Sequence, residues 1–143
     1  MNAVDTNLLV YAHRTDATFH SRAREFIKSL AEGNEAWAIP WPCVHEFLAV
    51  VTNPRIWKQP SPLKTALGAI AAWRSSPKLF LLAEDEQYWT VMEELVLSSK
   101  VVGAKVHDAR IAALALHHRV DTLFTADRDF GRFRGLRTKN PLL

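Results

Sequence analysis

The sequence has one cysteine, Cys43, among its 143 residues, so it can form neither an internal disulfide bond nor a cysteine-rich zinc site. It also lacks an apolar run near the roughly 20 residues that span a bilayer, and it does not start with a basic segment followed by an apolar one. These absences predict a protein with no membrane span and no signal peptide. We therefore expect a cytoplasmic location.

An excess of charge of one sign is lacking too, since the formal net charge is only +3. The 48% hydrophobic content is typical of a globular protein, and the length fits one domain over residues 1–143. Basic residues nevertheless crowd the last sixteen positions, namely Arg128, Arg132, Arg134, Arg137 and Lys139. This cluster suits a polyanion such as nucleic acid, and an ordinary solvated surface is an equal alternative.

Short apolar runs alternate with helical patterns along the whole chain. Strands are predicted at 1–5, 37–39, 79–82 and 123–124, with an optional last strand at 136–137, and helices are predicted to start near 6, 20, 42, 61, 85 and 108. The alternation predicts an α/β fold, a three-layer α/β/α domain with a central, mostly parallel sheet. The unbroken apolar run 79–82 favours a strand covered on both faces, and Leu63, Leu67 and Ile70 favour a buried face on their helix.

Five acids stand where ordinary surface acids do not. Asp5 and Asp127 end predicted strands, and Asp129 follows one residue later. Asp108 begins a predicted helix, and Glu46 lies inside a helix among uncharged neighbours. Asp5, Asp108 and Asp127 could each simply cap a helix. A carboxylate on an apolar helix face, as expected for Glu46, costs energy unless it is paired or bound to a cation. The alternative for Glu46 is that its face is only partly buried or that an arginine reaches it.

We expect the acids to meet, because the carboxyl ends of parallel strands form the usual ligand crevice of such sheets. Like charges that close require a compensating cation. Ligation by oxygen alone favours a hard ion, Mg²⁺ or Mn²⁺, and the usual chemistry of such a site is phosphoryl transfer. The sequence therefore predicts a divalent metal site that acts on phosphate.

The same residues resemble a known family. Asp5-Thr6-Asn7 after a strand, Glu46 in a helix, Asp108 opening a helix and Thr125-x-Asp127-x-Asp129 after a strand are together similar to the PIN-domain ribonucleases, in particular the VapC-type toxins of bacterial toxin–antitoxin pairs. The likeness covers essentially the whole chain. It implies a metal-dependent endoribonuclease in which activated water attacks a backbone phosphorus, leaving 5′-phosphate and 3′-hydroxyl ends.

The resemblance also implies roles for single residues. Asp5, Glu46, Asp108 and Asp127 would be the catalytic acids, with Mg²⁺ or Mn²⁺ on Asp5, Asp108 and Asp127. The residues that would contact substrate or orient these acids are Thr6, Asn7, Thr125, Arg128 and Asp129. Whether Asp127 or Asp129 ligates the metal stays open. The implied partners are an RNA substrate such as tRNA or rRNA, a cognate antitoxin protein that blocks the site, and a second copy of the chain.

Two alternatives compete with this interpretation. A haloacid-dehalogenase-like phosphatase also begins with a strand ending in Asp, but its chemistry needs a second acid at the position of Asn7. A non-catalytic RNA- or protein-binding module would use its acids only as helix caps. Arg14 and Arg110 are further candidates for phosphate contacts. Trp41 and Trp57 could stack on unpaired bases, although packing in the core or a dimer interface is the commoner role of tryptophan.

Overall fold

The computed structural model describes residues 1–143, and a single parallel sheet lies at its centre. Its strands are β1 (Asn2–Val4), β2 (Trp37–Pro40), β3 (Leu79–Leu82), β4 (Leu123–Phe124) and β5 (Thr138–Lys139). They lie in the order β3-β2-β1-β4-β5, and every neighbouring pair is parallel. The predicted α/β class with a parallel sheet is confirmed.

Six helices connect the strands: α1 (Thr6–His13), α2 (His20–Ala31), α3 (Trp41–Val51), α4 (Leu63–Arg74), α5 (Tyr88–Ser99) and α6 (Lys105–His117). The chain steps outward from β1 to β2 and β3, and then crosses back to β4. Because parallel crossovers are right-handed, α1 to α4 cover one face of the sheet while α5 and α6 cover the other. This arrangement gives three layers. None of the helices is long and apolar enough to cross a membrane.

The core is one continuous cluster built from both helical layers and the three central strands. Trp37 and Phe47 are fully buried in it, and the buried face of α6 is rich in alanine. The indole of Trp37 donates to Ser76 Oγ at 3.1 Å, and Ser76 Oγ donates to the Ala31 carbonyl at 2.9 Å. The buried polar atoms of Trp37 and Ser76 are thereby hydrogen-bonded, as burial requires.

Two burial expectations are wrong. Strand β3 is an edge strand with one open face, so Phe80 is 53% exposed. On α4 Ala66 is fully buried and the predicted Ile70 is half-buried against the core, whereas Leu63 and Leu67 are exposed. Hydrophobic periodicity identifies an apolar stripe but does not show that another element covers it. The small side chain of Ala66 lets α4 pack closely with a different face.

Three boundaries also differ from the sequence prediction. Helix α6 begins at Lys105, soon after Gly103 with its left-handed φ of 61°, so Asp108 lies within the first turn. Helix α5 begins at Tyr88, and Asp85 precedes it, its carboxylate accepting from the amide of Tyr88 at 3.0 Å. The last strand is Thr138–Lys139 instead of 136–137.

Candidate active site

The carboxyl ends of β1 and β4 meet at the point where the strand order reverses. Strand β1 lies between β2 and β4, and the connections leave it towards opposite sides of the sheet. Ligand crevices in open α/β sheets form at such switch points. Asp5 directly follows β1 and Asp127 follows β4 by three residues, so the fold places both carboxylates at this crevice.

A cleft of about 300 Å³ opens there. It is lined by acids, small polar residues and an apolar group: Asp5, Thr6, Asn7, Val10, Tyr11, Glu46, Val50, Trp57, Asp108, Asp127 and Phe130. The four acids predicted as catalytic therefore share one cleft, together with the predicted Thr6 and Asn7. A larger polar cleft of about 510 Å³ beyond the end of α1 contains none of these acids.

Asp5 is the most buried of the acids, with only 4% of its surface exposed. Its Oδ2 accepts a hydrogen bond of 2.8 Å from Thr125 Oγ1, and Cys43 Sγ lies 3.8 Å from Oδ1 as a weak donor. Burial raises the pKa of Asp5 from 3.8 to about 6, and the hydrogen bond from Thr125 partly opposes this rise. The negative charges of Glu46 and Asp108 raise the pKa further. The side chain does not cap α1, so the capping alternative is wrong for Asp5.

Thr125 joins the two strand ends. Its hydroxyl oxygen accepts from the Asp127 amide at 3.0 Å and from Asn7 Nδ2 at 3.4 Å, while it donates to Asp5. The carbonyl of the Asn7 side chain accepts from the Ala126 amide at 3.3 Å. Thr125 and Asn7 thus fix the segment that carries Asp127 against the start of α1. These contacts orient the carboxylate of Asp5 and the backbone segment that carries Asp127.

Asp127 and Asp129, which the sequence could not separate, have different surroundings. Asp127 lines the cleft, although its Oδ1 also accepts from the Asp129 amide at 2.9 Å and so caps the 3-10 turn Arg128–Arg132. The carboxylate of Asp129 lies outside the cleft and pairs with Lys105. A hydrogen bond from Lys105 lowers the pKa of Asp129. Asp127 is therefore the better placed metal ligand.

Asp108 reaches the cleft from the first turn of α6 and is one-quarter exposed. Partial burial raises its pKa, the charge of Lys105 at 3.6 Å opposes this, and the charge of Asp127 adds to it. The charges of Asp108 and Asp127 therefore repel each other across the cleft, as the sequence argument expected of converging acids.

Glu46 lies in the cleft, but its predicted burial on an apolar face is wrong. Cys43 and Phe47 occupy the buried face of α3, and Glu46 is exposed at the rim. A solvated carboxylate needs no partner, so burial gives no reason to expect a cation at Glu46. Arg128 is also exposed and borders a neighbouring depression with Thr125 and Lys139, outside the acid cleft.

Of the apolar wall of the cleft, the sequence indicated only Trp57, as a residue that could stack on a base. Val10 and Tyr11 stand four positions after Thr6 and Asn7, and Val50 stands four after Glu46, so helical spacing could have found them. Trp57 lies in an irregular loop, where no periodicity indicates direction. Arg110, a candidate for phosphate contact, is paired with Glu84 instead.

The donor chemistry fits a hard divalent cation, although the ligand cage is not closed. As the side chains lie, no three His, Cys, Asp or Glu residues are close enough to hold one ion. The cleft nonetheless presents only oxygen donors from its polar residues, the set that suits Mg²⁺ or Mn²⁺. Thr6 Oγ1 is the one buried side-chain polar atom without a hydrogen-bond partner, and Thr6 lines this cleft. A hydrated cation would supply the missing partner and offset the repulsion among the acids.

Comparison with known proteins settles the family. The PIN domain model matches residues 3–136. This chain belongs to the PIN domain family. Ribonuclease VapC43 of Mycobacterium tuberculosis is 36% identical to this PIN domain over 142 residues, covering 99% of the chain and 96% of the relative. Ribonuclease VapC48 of the same species is 30% identical over 137 residues, covering 96% and 94%.

Solved structures share the fold of this PIN domain. VapBC2 of Rickettsia felis, crystallised with a DNA fragment from its promoter, matches with a TM-score of 0.72 at 20% identity over 97% of each chain. The sarcin-ricin-loop-cleaving toxin VapC20 of M. tuberculosis matches with a TM-score of 0.66 at 18% identity, over 96% of this chain and 99% of that one. The predicted resemblance to VapC-type PIN domains is confirmed.

Proposed function

We propose that this PIN domain is a metal-dependent endoribonuclease and the toxin of a toxin–antitoxin pair. The observation that carries the proposal is the cleft itself, in which four carboxylates from the ends of β1 and β4 and from two helices lie together. Its relatives over nearly the full length are named VapC ribonucleases. The chain thus combines the relatives' fold with a cleft suited to phosphate chemistry.

The roles of the acids follow from their burial. Asp5, Asp108 and Asp127 would hold Mg²⁺ or Mn²⁺, which when bound acidifies water and offsets negative charge on a phosphate. Thr125 and Cys43 fix the carboxylate of Asp5 for this role. Glu46, exposed at the rim, is free to accept a proton from the attacking water at a carboxylate oxygen. Cleavage by water in this way leaves 5′-phosphate and 3′-hydroxyl ends.

The RNA backbone would be held by the basic cluster at the end of the chain. Arg128 and the four other basic residues of this cluster are exposed, so their charges are available to phosphates. Arg110 and Arg14 already form ion pairs within the chain, with Glu84 and Asp16 respectively, and are not free to bind phosphate. The cellular substrate we propose is tRNA or rRNA in the cytoplasm. Sequencing of RNA ends after brief expression would identify it.

Besides blocking the cleft, the antitoxin would bind a second surface outside it. A mainly apolar groove of about 410 Å³ lies between α2 and α4 and is lined in part by Ile27, Ala69, Ala72 and Trp73. The structural relatives include VapBC and FitAB assemblies, and the groove suits an apolar segment of such a partner. Co-expression with the product of the adjacent gene should give a complex that Ala72→Glu disrupts, without loss of RNA cleavage by the free chain. A second copy of the chain as partner stays a prediction.

The decisive experiment is RNA cleavage by the purified chain. Wild type should cut RNA with Mg²⁺ or Mn²⁺, stop in EDTA and leave 5′-phosphates. Glu46→Gln and Asp108→Asn should reduce cleavage by orders of magnitude while remaining folded. The matched control Glu25→Gln, an exposed acid on α2, should cleave like wild type. Phosphomonoester hydrolysis without RNA cleavage would support the phosphatase alternative instead. Unchanged cleavage by the two cleft variants would contradict the proposal.

A further inference from the structure

Trp57 is the feature of the cleft that metal chemistry does not need. A site for a divalent cation requires oxygen donors, yet one wall of this cleft is apolar and includes an indole ring. We propose that Trp57 is the stacking platform for an unpaired nucleobase beside the cleaved phosphate, and that Arg14 is the positioning residue that holds the ring in place. The inference rests on the proposed ribonuclease function and adds a substrate class to it.

The ring is presented as an apolar surface. Trp57 follows α3 in the loop before α4 and lines the cleft together with Asp5 and Glu46. Its only polar atom, Nε1, donates to the Val50 carbonyl at 3.0 Å. Because that hydrogen bond is satisfied within the protein, the ring has only its π-surface to offer a ligand. The side chain is half-buried and packs in part against the core, and its remaining surface lines the cleft.

Arg14 fixes the ring from behind. Its guanidinium carbon lies 4.1 Å from the centre of the Trp57 ring, and only 9% of Arg14 is exposed. The guanidinium donates to the Gln59 carbonyl at 2.9 Å and to Ser61 Oγ at 3.2 Å. It also forms a two-pronged pair with Asp16 at 2.9 and 2.7 Å. With every nitrogen engaged, Arg14 is not available to a phosphate, which corrects the expectation from the sequence.

A fixed aromatic surface suits an unpaired base. An indole held by stacking and hydrogen bonds loses little conformational freedom when a second ring stacks on it. Bases within a duplex have their faces covered by their neighbours, whereas loops and single strands can expose a face. A nucleotide with its phosphate at the acids and its base on Trp57 would use both walls of the cleft. Any base offers a π-face, so stacking favours unpaired RNA without selecting one base.

The first experiment separates stacking from packing. In a Glu46→Gln background, which should retain RNA binding while cleaving it orders of magnitude more slowly, Trp57→Phe and Trp57→Leu are compared for binding of a short single-stranded RNA by fluorescence anisotropy. The phenylalanine variant should bind within a few-fold of the parent, and the leucine variant should bind about tenfold or more weakly. The matched control Trp89→Leu changes a tryptophan that is 60% exposed on α5, outside the cleft, and should bind like the parent. Equal binding by all three variants would overturn the proposal.

The second experiment changes the RNA instead of the protein. Once the cleavage site is mapped, two RNAs are made that each carry one abasic nucleotide, on one or the other side of that site. Their cleavage by wild type and by the Trp57→Leu variant is compared with cleavage of the unmodified RNA. One of the two abasic positions should raise the KM of wild type about tenfold. The same position should raise the KM of Trp57→Leu only a little, because the variant already lacks the stacking contact. Arg14→Gln should raise KM without lowering kcat. Full additivity of the two losses, or no sensitive abasic position, would refute the assignment.

The outcomes distinguish failure of the stacking role of Trp57 from failure of the proposed ribonuclease function. If wild type cuts no RNA with any divalent metal, the proposed ribonuclease function fails. If wild type cuts RNA and loses activity with Asp108→Asn, but Trp57→Leu binds and cuts normally, only the stacking role fails. If Trp57→Leu does not fold, the comparison uses Trp57→Phe for the assignment, and the absence of any sensitive abasic position in wild type would still refute the proposal.

Discussion

The hydroxyl of Thr125 donates a 2.8 Å hydrogen bond to the carboxylate of Asp5, which lies 120 positions earlier in the chain. The contact joins the ends of neighbouring strands β1 and β4, and both side chains are almost fully buried. It favours the charged form of an acid whose burial raises its pKa. Thr125 is therefore a positioning residue for Asp5 and Asp127 in the proposed reaction.

Replacing Thr125 tests this relationship. Thr125→Val keeps the shape but removes the donor to Asp5 and the acceptor for the Asp127 amide. We expect it to lower the free energy of unfolding by roughly 1–3 kcal/mol, the usual cost of leaving buried polar groups unpaired. RNA cleavage should fall as well. Thr125→Ser keeps the hydroxyl and should retain most of the stability and most of the cleavage rate. Urea unfolding measures the stability, and initial rates measure the cleavage. Equal behaviour of the two variants would contradict the assigned role.

The raised pKa of Asp5 predicts a pH-dependent gain of stability in Asp5→Asn without metal. The folded pKa, about 6, exceeds the ordinary value of 3.8, so between pH 4 and 6 the folded state binds more protons and stability falls as pH rises. The full penalty, about 3 kcal/mol, is present above pH 7. Asp5→Asn should be more stable than wild type at pH 8, and this advantage should vanish near pH 4. Urea unfolding across this range is the measurement, with Glu25→Gln as control. If the difference in free energy of unfolding between Asp5→Asn and wild type does not depend on pH, the cost of burying the Asp5 charge is not the cause of that difference.

The different surroundings of the two aspartates after β4 predict different effects of substitution. Asp127→Asn should lower RNA cleavage by orders of magnitude, because its carboxylate lines the cleft. Asp129→Asn should cleave within a few-fold of wild type, because its carboxylate pairs with exposed Lys105 outside the cleft. Both asparagines keep an acceptor oxygen, so stability should change little in either variant. Rates reversed between the two would mean that Asp129 is the ligand.

The exposed arginines predict a salt effect. If Arg128 contacts an RNA phosphate, Arg128→Ala should weaken binding and reduce the slope of log K against log salt by about 0.7, the value for one contact to a single strand. Arg74→Ala, an exposed arginine at the end of α4, serves as the control and should leave the slope unchanged. Anisotropy titrations at several salt concentrations give both slopes. An unaltered slope for Arg128→Ala would assign Arg128 to the solvated surface.

The sequence predicted those parts of the site that lie at the ends of parallel strands. Asp5 and Asp127 stand at the ends of apolar runs, and in a parallel sheet such ends share one edge. Glu46 was placed in the site for a wrong reason, since helical periodicity does not show which side of α3 meets solvent. The same limit explains the exposed Leu67 on α4. Alternation of strands and helices sufficed for the α/β class, because each pattern is local.

The rest depended on contacts that no local pattern encodes. The distinction between Asp127 and Asp129 follows from the capped 3-10 turn and from Lys105, which is 24 positions away from Asp129. Trp57 lies in a loop without periodicity, and its position depends on Arg14, Gln59 and Ser61. Long-range hydrogen bonds decide where such side chains lie, and a single sequence does not show them.

The most direct test of the central claim, that the cleft acids act together as one divalent-cation site, is Mn²⁺ binding followed by electron paramagnetic resonance. Titration of the purified chain at pH 8, with and without a short RNA, should show saturable loss of the free Mn²⁺ signal. Asp5→Asn and Asp108→Asn should each abolish this loss, whereas Glu25→Gln should retain it. Saturable binding that survives both cleft substitutions, or no binding by wild type even with RNA, would contradict the account.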